Sequence, residues 1–194
     1  MTLSDSTPLG VARSAWLNGS MLIAPAQDHE LSALATLVNS AYRGELATKG
    51  WTSESYLLGG QRTDEESLRA DLAANPGSAL LTLRDAEGET PHACVWVQPS
   101  EGEAWYVGMV TVSPLRQAGG IGRTMLEAAE AHARDRGAKS MEMTVISVRD
   151  TLIAWYERRG YALTGATEPF PYGDERFGVP QRDDLHFVIM EKAL

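Results

Sequence analysis

A glycine-rich turn between a strand-like segment and a long amphipathic helix constrains the fold most. Residues 104–112 (AWYVGMVTV) have the apolar, β-branched character of a strand. Residues 120–136 then place apolar side chains three and four positions apart, which predicts a helix that ends at Gly137. Gly120 and Gly122 open this helix, where unpaired backbone N–H groups and the positive end of the helix dipole attract an anion. The turn therefore predicts a phosphate-binding site.

Two known phosphate-binding motifs do not match this turn. A P-loop needs a glycine at the position of Gln117 and a lysine at the position of Arg123. A dinucleotide fingerprint that begins at Gly120 needs a third glycine where Met125 stands. The pattern that fits is Gln-x-x-Gly-x-Gly over residues 117–122.

The remaining pattern predicts alternating strands and helices. Residues 1–17 are expected to form a loose leader, and residues 18–194 a single domain. Thr63 and Glu66 form a capping box that predicts a helix start. Strands are predicted near residues 20–26, 78–83, 91–97, 104–112, 140–146, 161–165 and 185–192, and helices near 28–43, 63–75, 120–136 and 149–159.

Composition narrows the functional class. The formal net charge of -9 disfavours binding to nucleic acid or to an anionic membrane surface. Cys94 is the only cysteine, so no intrachain disulfide can form. The apolar runs are too short to span a membrane, and the first twenty residues lack the apolar block of a signal peptide. We expect a cytoplasmic protein.

A second signature lies at residues 152–161, where LIAWYERRGY predicts a helix that ends in an aromatic-charged-glycine-aromatic sequence. With the glycine turn and the order of elements, it closely resembles the GNAT superfamily of acyl-CoA-dependent N-acetyltransferases. The resemblance covers roughly residues 20–193 and implies a mixed α/β fold, in which a mostly antiparallel sheet with flanking helices is splayed between the fourth and fifth strands. AYRGE at 41–45 and TG-x-x-x-PFP at 164–171 are similar to segments of a bacterial and fungal subgroup that shares the WYERRGY-type motif.

The resemblance implies a site for acetyl-CoA, the acetyl donor. In the family, the pantetheine arm pairs with the end of the fourth strand and the pyrophosphate lies on the glycine turn. The implied cofactor-binding residues are Val110, Val112, Gln117, Ala118, Gly119, Gly120, Ile121, Gly122 and Arg123. The family's acid tyrosine matches Tyr156, which would protonate the departing thiolate. The N–H of Val110 would support the developing oxyanion.

Two positions depart from the family pattern. Histone-acetylating relatives carry a glutamate base where this chain has Tyr106, and many relatives carry an asparagine where it has Arg149. Arg149 is therefore a candidate for contacting a phosphate or carbonyl of the cofactor. The group that deprotonates the amine is open between water and the side chains of Glu54, Glu103, Glu142 and His92.

The acceptor is expected to be a small-molecule or peptide amine, acetylated directly in a ternary complex. The two loops that line the acceptor cleft in the family correspond here to residues 44–62 and 167–184. They supply the candidate acceptor contacts Trp51, Glu54, Phe170 and Tyr172. Acidic side chains in these loops favour a cationic acceptor. No metal is expected, and a homodimer is an open alternative to a monomer.

Other interpretations remain open at this stage. His92 and Cys94 face the same side of one predicted strand, as in a Cys-His nucleophile pair, although a buried and inert cysteine is favoured because no third group orients them. The missing glutamate at the position of Tyr106 leaves open an acyl-CoA-binding sensor or regulatory module without turnover. Transfer of a longer acyl chain is also open.

Overall fold

Seven strands form one sheet, in an order that differs from their order along the chain. The computed structural model describes residues 21–48, 50, 53–117, 119–174 and 177–194, so the leader predicted for residues 1–17 lies outside the described residues. The bounds are β1 Leu22–Pro25, β2 Leu58–Gly59, β3 Ala79–Arg84, β4 Ala93–Pro99, β5 Ala104–Val112, β6 Ser140–Ile146, β7 Ala162–Pro169, β8 Val179–Pro180 and β9 His186–Ala193. The sheet order is β1-β3-β4-β5-β6-β9-β7, while β2 and β8 pair separately as a short ribbon.

The predicted helices form, with adjusted ends. Their bounds are α1 Leu31–Tyr42, α2 Gly44–Ala47, α3 Glu65–Ala74, α4 Ile121–Arg134 and α5 Asp150–Glu157. The capping box predicted at Thr63 is wrong by one residue, because the Asp64 side chain accepts the backbone N–H of Ser67 at 2.7 Å. None of the helices in the described ranges is long and apolar enough to cross a membrane.

Helices cover both faces of the sheet, because successive strand residues point to opposite faces. Leu81 and Val95 pack with Met125 of α4 on one face. Leu80 and Cys94 pack with Leu34 of α1 on the other. The near-continuous apolar runs of the central strands follow from this two-sided burial.

The sheet is mixed and mostly antiparallel, as the sequence predicts. Among its pairs only β5 and β6 run parallel, and they pair at Ala104–Ser140, Trp105–Met141 and Tyr106–Glu142 alone. Beyond Tyr106 the two strands separate. The splay expected between the fourth and fifth predicted strands is therefore present, and it opens the sheet where the functional residues gather.

Candidate active site

A β-bulge shapes β5 at the point where the sheet opens. Between the pairs Cys94–Thr111 and Trp96–Gly108 the register with β4 slips, so that Met109 and Val110 lie opposite one residue of β4. Met109 has a φ of 51°, a left-handed conformation that is rare for a residue other than glycine. A bulge of this kind bends a strand and redirects its peptide groups, and here it does so at Val110.

One cleft lies between the bulged end of β5, the start of α4 and one side of α5, and we call it the helix cleft. It has a volume of about 320 Å³. It is lined by Tyr42, Val110, Val112, Gln117, Gly120, Gly122, Arg123, Arg149, Leu152, Trp155, Tyr156 and Arg159. Three of these described lining residues are arginines and none is acidic. The cleft therefore suits an anionic ligand.

The glycine turn fits a phosphate group at the entrance of this cleft. Gly119 and Gly120 have φ values of 93° and 81°, which a residue with a side chain rarely adopts. The backbone N–H of Thr124 is bonded to the carbonyl of Gly120, so the N–H groups before it belong to the first turn of α4, where helices leave donors unpaired. A Cβ at Gly122 would lie 3.6 Å from the Trp155 ring, so a bulky side chain there would fill the cleft.

A second cleft lies on the far side of Val110, and we call it the aromatic cleft. Its volume is about 130 Å³. It is lined by Tyr42, Arg43, Glu54, Leu58, Arg62, Tyr106, Val107, Gly108, Met109, Val110, Met143, Thr144, Val145, Ile146, Arg149, Leu152, Tyr156, Phe170, Phe177 and Phe187. The β2–β8 ribbon lies over its end, because Leu57 and Leu58 pack with Phe170 and Ile146 in a small separate core.

The two clefts meet at a common set of side chains. Both are lined by Tyr42, Val110, Arg149, Leu152 and Tyr156. The Tyr42 hydroxyl donates to the carbonyl of Val110 at 2.8 Å and so links the end of α1 to the bulge. A group held in either cleft can therefore reach Val110 and Tyr156.

Tyr156 keeps its proton in this setting. The residue is buried, and desolvation raises the pKa of its hydroxyl above the usual range, with a further contribution from nearby Tyr42. Burial likewise raises the pKa of Tyr42 to about 12. Both phenols are neutral hydrogen-bond donors at neutral pH, which suits Tyr156 to the role of an acid.

A buried ion-pair triad borders both clefts. Glu54 accepts from Arg43 at 2.7 Å and from Arg149 at 3.0 Å. The side chains of Arg43 and Arg149 are only 5% and 4% exposed, so both guanidinium groups are almost wholly withdrawn from water. One carboxylate therefore faces two cations. Glu54 no longer supports the prediction of a cationic acceptor, because its charge is already balanced by arginines.

The predicted cofactor-binding residues are largely brought together. Val110, Val112, Gln117, Gly120, Gly122 and Arg123 line the helix cleft. Gly119 and Ile121 are not among its lining residues, because Ile121 packs against the sheet core and Gly119 lies exposed at the turn. Ala118 lies outside the described residues.

Only some of the predicted acceptor contacts line the aromatic cleft. Glu54 and Phe170 line the aromatic cleft, whereas Tyr172 anchors its loop by donating to the carbonyl of Arg182 and accepting from the N–H of Leu185. Trp51 lies outside the described residues.

Of the four side chains considered as bases, Glu54 alone is among the described residues lining either cleft. His92 lies instead beside Arg116 and Asp85, and Glu142 accepts from Ser100. Cys94 is fully buried and burial raises the pKa of its thiol to about 12, as predicted for an inert cysteine.

Several lining residues lie in sequence motifs that do not by themselves indicate a role for them. Tyr42 and Arg43 stand at the end of a helix, and their meeting with Arg149 depends on contacts between distant segments. Trp155 and Arg159 belong to the WYERRGY signature, in which the family resemblance implies a role for Tyr156 alone. The Arg159 guanidinium lies 3.5 Å from the centre of the Trp155 ring, a stacking arrangement visible only in three dimensions.

Comparison with known proteins gives the family. The profile of the acetyltransferase (GNAT) family matches residues 45–161. No curated protein matches the chain in sequence. Among solved structures, a ribosomal-protein-alanine N-acetyltransferase from Brucella melitensis is 23% identical, with a TM-score of 0.64 over 89% of this chain and 99% of that one.

Two further similar structures are complexes with acetyl-CoA. A putative acetyltransferase from Salmonella typhimurium with its cofactor acetyl-CoA is 19% identical, with a TM-score of 0.64 over 91% of this chain and 95% of that one. A phosphinothricin acetyltransferase from Sinorhizobium meliloti in complex with acetyl-CoA is 13% identical, with a TM-score of 0.64 over 90% and 89%. At these sequence identities the structural similarity establishes the fold alone.

The family match covers more than half of the chain and includes the glycine turn and Tyr156. It favours an enzyme over the sensor that the missing glutamate had left open. The chain belongs to the GNAT family of acetyltransferases.

Proposed function

We propose that the protein transfers an acetyl group from acetyl-CoA to a primary amine by direct attack within a ternary complex. The observation that carries the proposal is the meeting of the two clefts at Val110 and Tyr156. The donor would lie in the helix cleft and the amine in the aromatic cleft, so the reacting atoms meet without a covalent enzyme intermediate. The AYRGE and WYERRGY segments support placing the enzyme in the subgroup that shares them.

The helix cleft holds the donor, which supplies the acetyl thioester. The first turn of α4, Arg123 and Arg159 would bind its phosphate groups through N–H donors and positive charge. The backbone of β5 at Val110 and Val112 would pair with its amide groups as a neighbouring strand does, because the splay leaves this part of β5 without β6.

Two groups act on the reacting atoms. As the amine nitrogen bonds to the thioester carbon, the N–H of Val110 donates a hydrogen bond to the developing oxyanion. When the carbon–sulfur bond breaks, the Tyr156 hydroxyl donates its proton to the departing sulfur and recovers a proton from solvent. The positively charged nitrogen of the product loses a proton to give the amide.

A dedicated carboxylate base is not needed in this arrangement. Both oxygens of Glu54 already accept hydrogen bonds from guanidinium groups, so its carboxylate is engaged within the triad. The arginines instead disfavour a further positive charge nearby, so they lower the pKa of a bound ammonium group. Water in the aromatic cleft then serves as the proton acceptor.

The test is thiol release from acetyl-CoA with a panel of primary amines, measured for the wild type and for Tyr156→Phe. We expect the variant to lose about 100-fold or more in kcat and to retain acetyl-CoA binding, because only proton donation is removed. Tyr161→Phe is the matched control, since Tyr161 is equally buried and close in sequence but lines neither cleft as described. Thiol release that Tyr156→Phe leaves unchanged would contradict the assignment.

A further inference from the structure

We infer that the aromatic cleft binds the carboxylate of its acceptor, so that the substrate is a small amine of the amino-acid type with an apolar side chain. The inference rests on the proposed function, which places the amine in this cleft. It is carried by the unpaired donors of the Arg43 guanidinium and by the charge balance of the lining residues.

The charges of the cleft are the reverse of those of the whole chain. Arg43, Arg62 and Arg149 line it together with Glu54, and no other described lining residue is charged. Three guanidinium groups against one carboxylate leave a formal excess of two positive charges, in a protein whose formal net charge is -9. A cleft that concentrates positive charge in an acidic protein favours an anionic ligand.

Arg43 presents an unused pair of donors. Its Nη1 donates to Glu54, whereas its Nε and Nη2 atoms are buried without a hydrogen-bond partner in the described part of the chain. Arg84 and Arg159 are also buried at Nε, but each leaves that single atom without a partner. Since buried donors nearly always have a hydrogen-bond partner, a whole unpaired edge on Arg43 points to a ligand group that accepts its hydrogen bonds.

The shape of that edge specifies which chemical group would accept its hydrogen bonds. Nε–H and one Nη–H of a guanidinium lie side by side and match the two oxygens of a carboxylate in a bidentate pair. The neighbouring rings of Phe170, Phe177 and Phe187 keep the surroundings apolar, which strengthens such a pair. The same rings would pack against an apolar side chain of the ligand.

The size of the cleft favours a small substrate. Its volume of about 130 Å³ is below the roughly 300–1,000 Å³ of pockets that hold drug-sized ligands. A free amino acid combines the three required features in a few atoms: an amine for transfer, a carboxylate for Arg43 and a side chain for the aromatic rings. A polyamine or an aminoglycoside has no carboxylate and would add positive charge to an already positive cleft.

The test compares each acceptor with an analogue in which a neutral amide replaces the carboxylate. Leucine, methionine and phenylalanine are assayed beside leucinamide, methioninamide and phenylalaninamide, with saturating acetyl-CoA. For at least one pair we expect kcat/KM to be about 10–100-fold higher for the acid, the range that corresponds to one hydrogen bond to a charged group. Arg43→Gln should reduce this ratio by about the same factor.

Arg84→Gln is the matched control. Arg84 is a buried arginine paired with the buried Glu30 and lies outside both clefts as described. This substitution should lower stability and leave the acid-to-amide ratio unchanged. Because the ratio compares two substrates on one protein sample, partial unfolding of either variant does not affect it.

A binding measurement separates failure of this inference from failure of the proposed transfer. We would titrate 4-methylpentanoate and 4-methylpentanamide, which lack the amine, into the enzyme loaded with CoA. Preferential binding of the acid that Arg43→Gln abolishes supports the carboxylate site even if no amine is acetylated. Equal binding of acid and amide, or Tyr156-dependent acetylation of the amides or of diamines alone, would overturn the inference.

Discussion

At the scale of single residues, burial sets the chemistry of the phenol at the junction of the clefts. Tyr156 is withdrawn from water, and its neighbour Tyr42 disfavours a negative charge on it further. The sequence signature identifies this tyrosine as a candidate acid, but its protonation behaviour depends on neighbours from α1 that no local pattern reveals. No local pattern reveals the ion-pair triad either. Arg43 and Glu54 lie 11 positions apart along the chain, Glu54 and Arg149 lie 95 positions apart, and the three meet only in the fold.

The pH dependence of kcat tests the state of Tyr156. A raised pKa keeps the neutral form of the phenol at pH values where an ordinary tyrosine, with a pKa of about 10, begins to ionise. We therefore expect kcat to rise with pH as the acceptor amine loses its proton, and then to stay level up to about pH 10. A falling limb below about pH 9.5 would show that the phenol ionises early and would contradict the assigned cause.

At the scale of elements, the main strands and helices follow from periodicity, whereas the small elements around the aromatic cleft do not. The two strands of the ribbon are two residues each, and α2 has four, so none is long enough to show an alternation or a helical repeat. The position of the ribbon depends on the small core under it and on the pairing of Gly59 with Val179.

Gly178→Ala tests the ribbon as a wall of the acceptor site. Gly178 has a φ of 93°, and a Cβ there would lie 2.8 Å from the carbonyl oxygen of Gly59 and 3.4 Å from Nη2 of Arg43. The substitution should therefore push the ribbon away from the cleft and raise KM for the acceptor several-fold. Binding of acetyl-CoA, measured by titration, should not change, because the helix cleft does not include the ribbon.

Gly173→Ala is the control for this substitution. Gly173 lies in the same loop with a φ of 89°, but a Cβ there would meet no atom within 4 Å. It carries the same backbone strain without pressing on the ribbon. An equal rise in KM for both variants would mean that strain in the loop, and not displacement of the ribbon, causes the effect.

At the scale of the whole molecule, only three residue pairs of β5 and β6 join the two parts of the sheet, which leaves a role for another connection. Glu130 of α4 supplies one, because α4 packs on β4 and β5 while Glu130 accepts from Lys192 of β9 at 2.8 Å and from Tyr161 at 3.2 Å. Its side chain is only 4% exposed. The composition of the chain predicts a globular core but gives no indication that one carboxylate joins the two parts.

Replacing this carboxylate should destabilise the fold as a unit. Glu130→Ala leaves the buried Tyr161 hydroxyl and the Lys192 ammonium without their acceptor, so we expect the free energy of unfolding to fall by about 3 kcal/mol or more. Glu127→Ala on the same helix removes an exposed pair with Arg123 and should cost less than about 1 kcal/mol. Urea unfolding of both variants measures the difference, and similar losses would argue against the connection.

The early separation of β5 from β6 has a consequence for how the protein behaves during turnover. Peptide groups of β5 beyond Tyr106 that face the gap are hydrated when the cleft contains only water, and they are covered when the pantetheine arm lies along them in the proposed complex. Hydrogen exchange at the amides of residues 107–112 should therefore slow when acetyl-CoA binds. In each catalytic cycle the sheet would gain an additional edge partner and then release it, so part of its hydrogen-bonding pattern belongs to a molecule that the enzyme consumes.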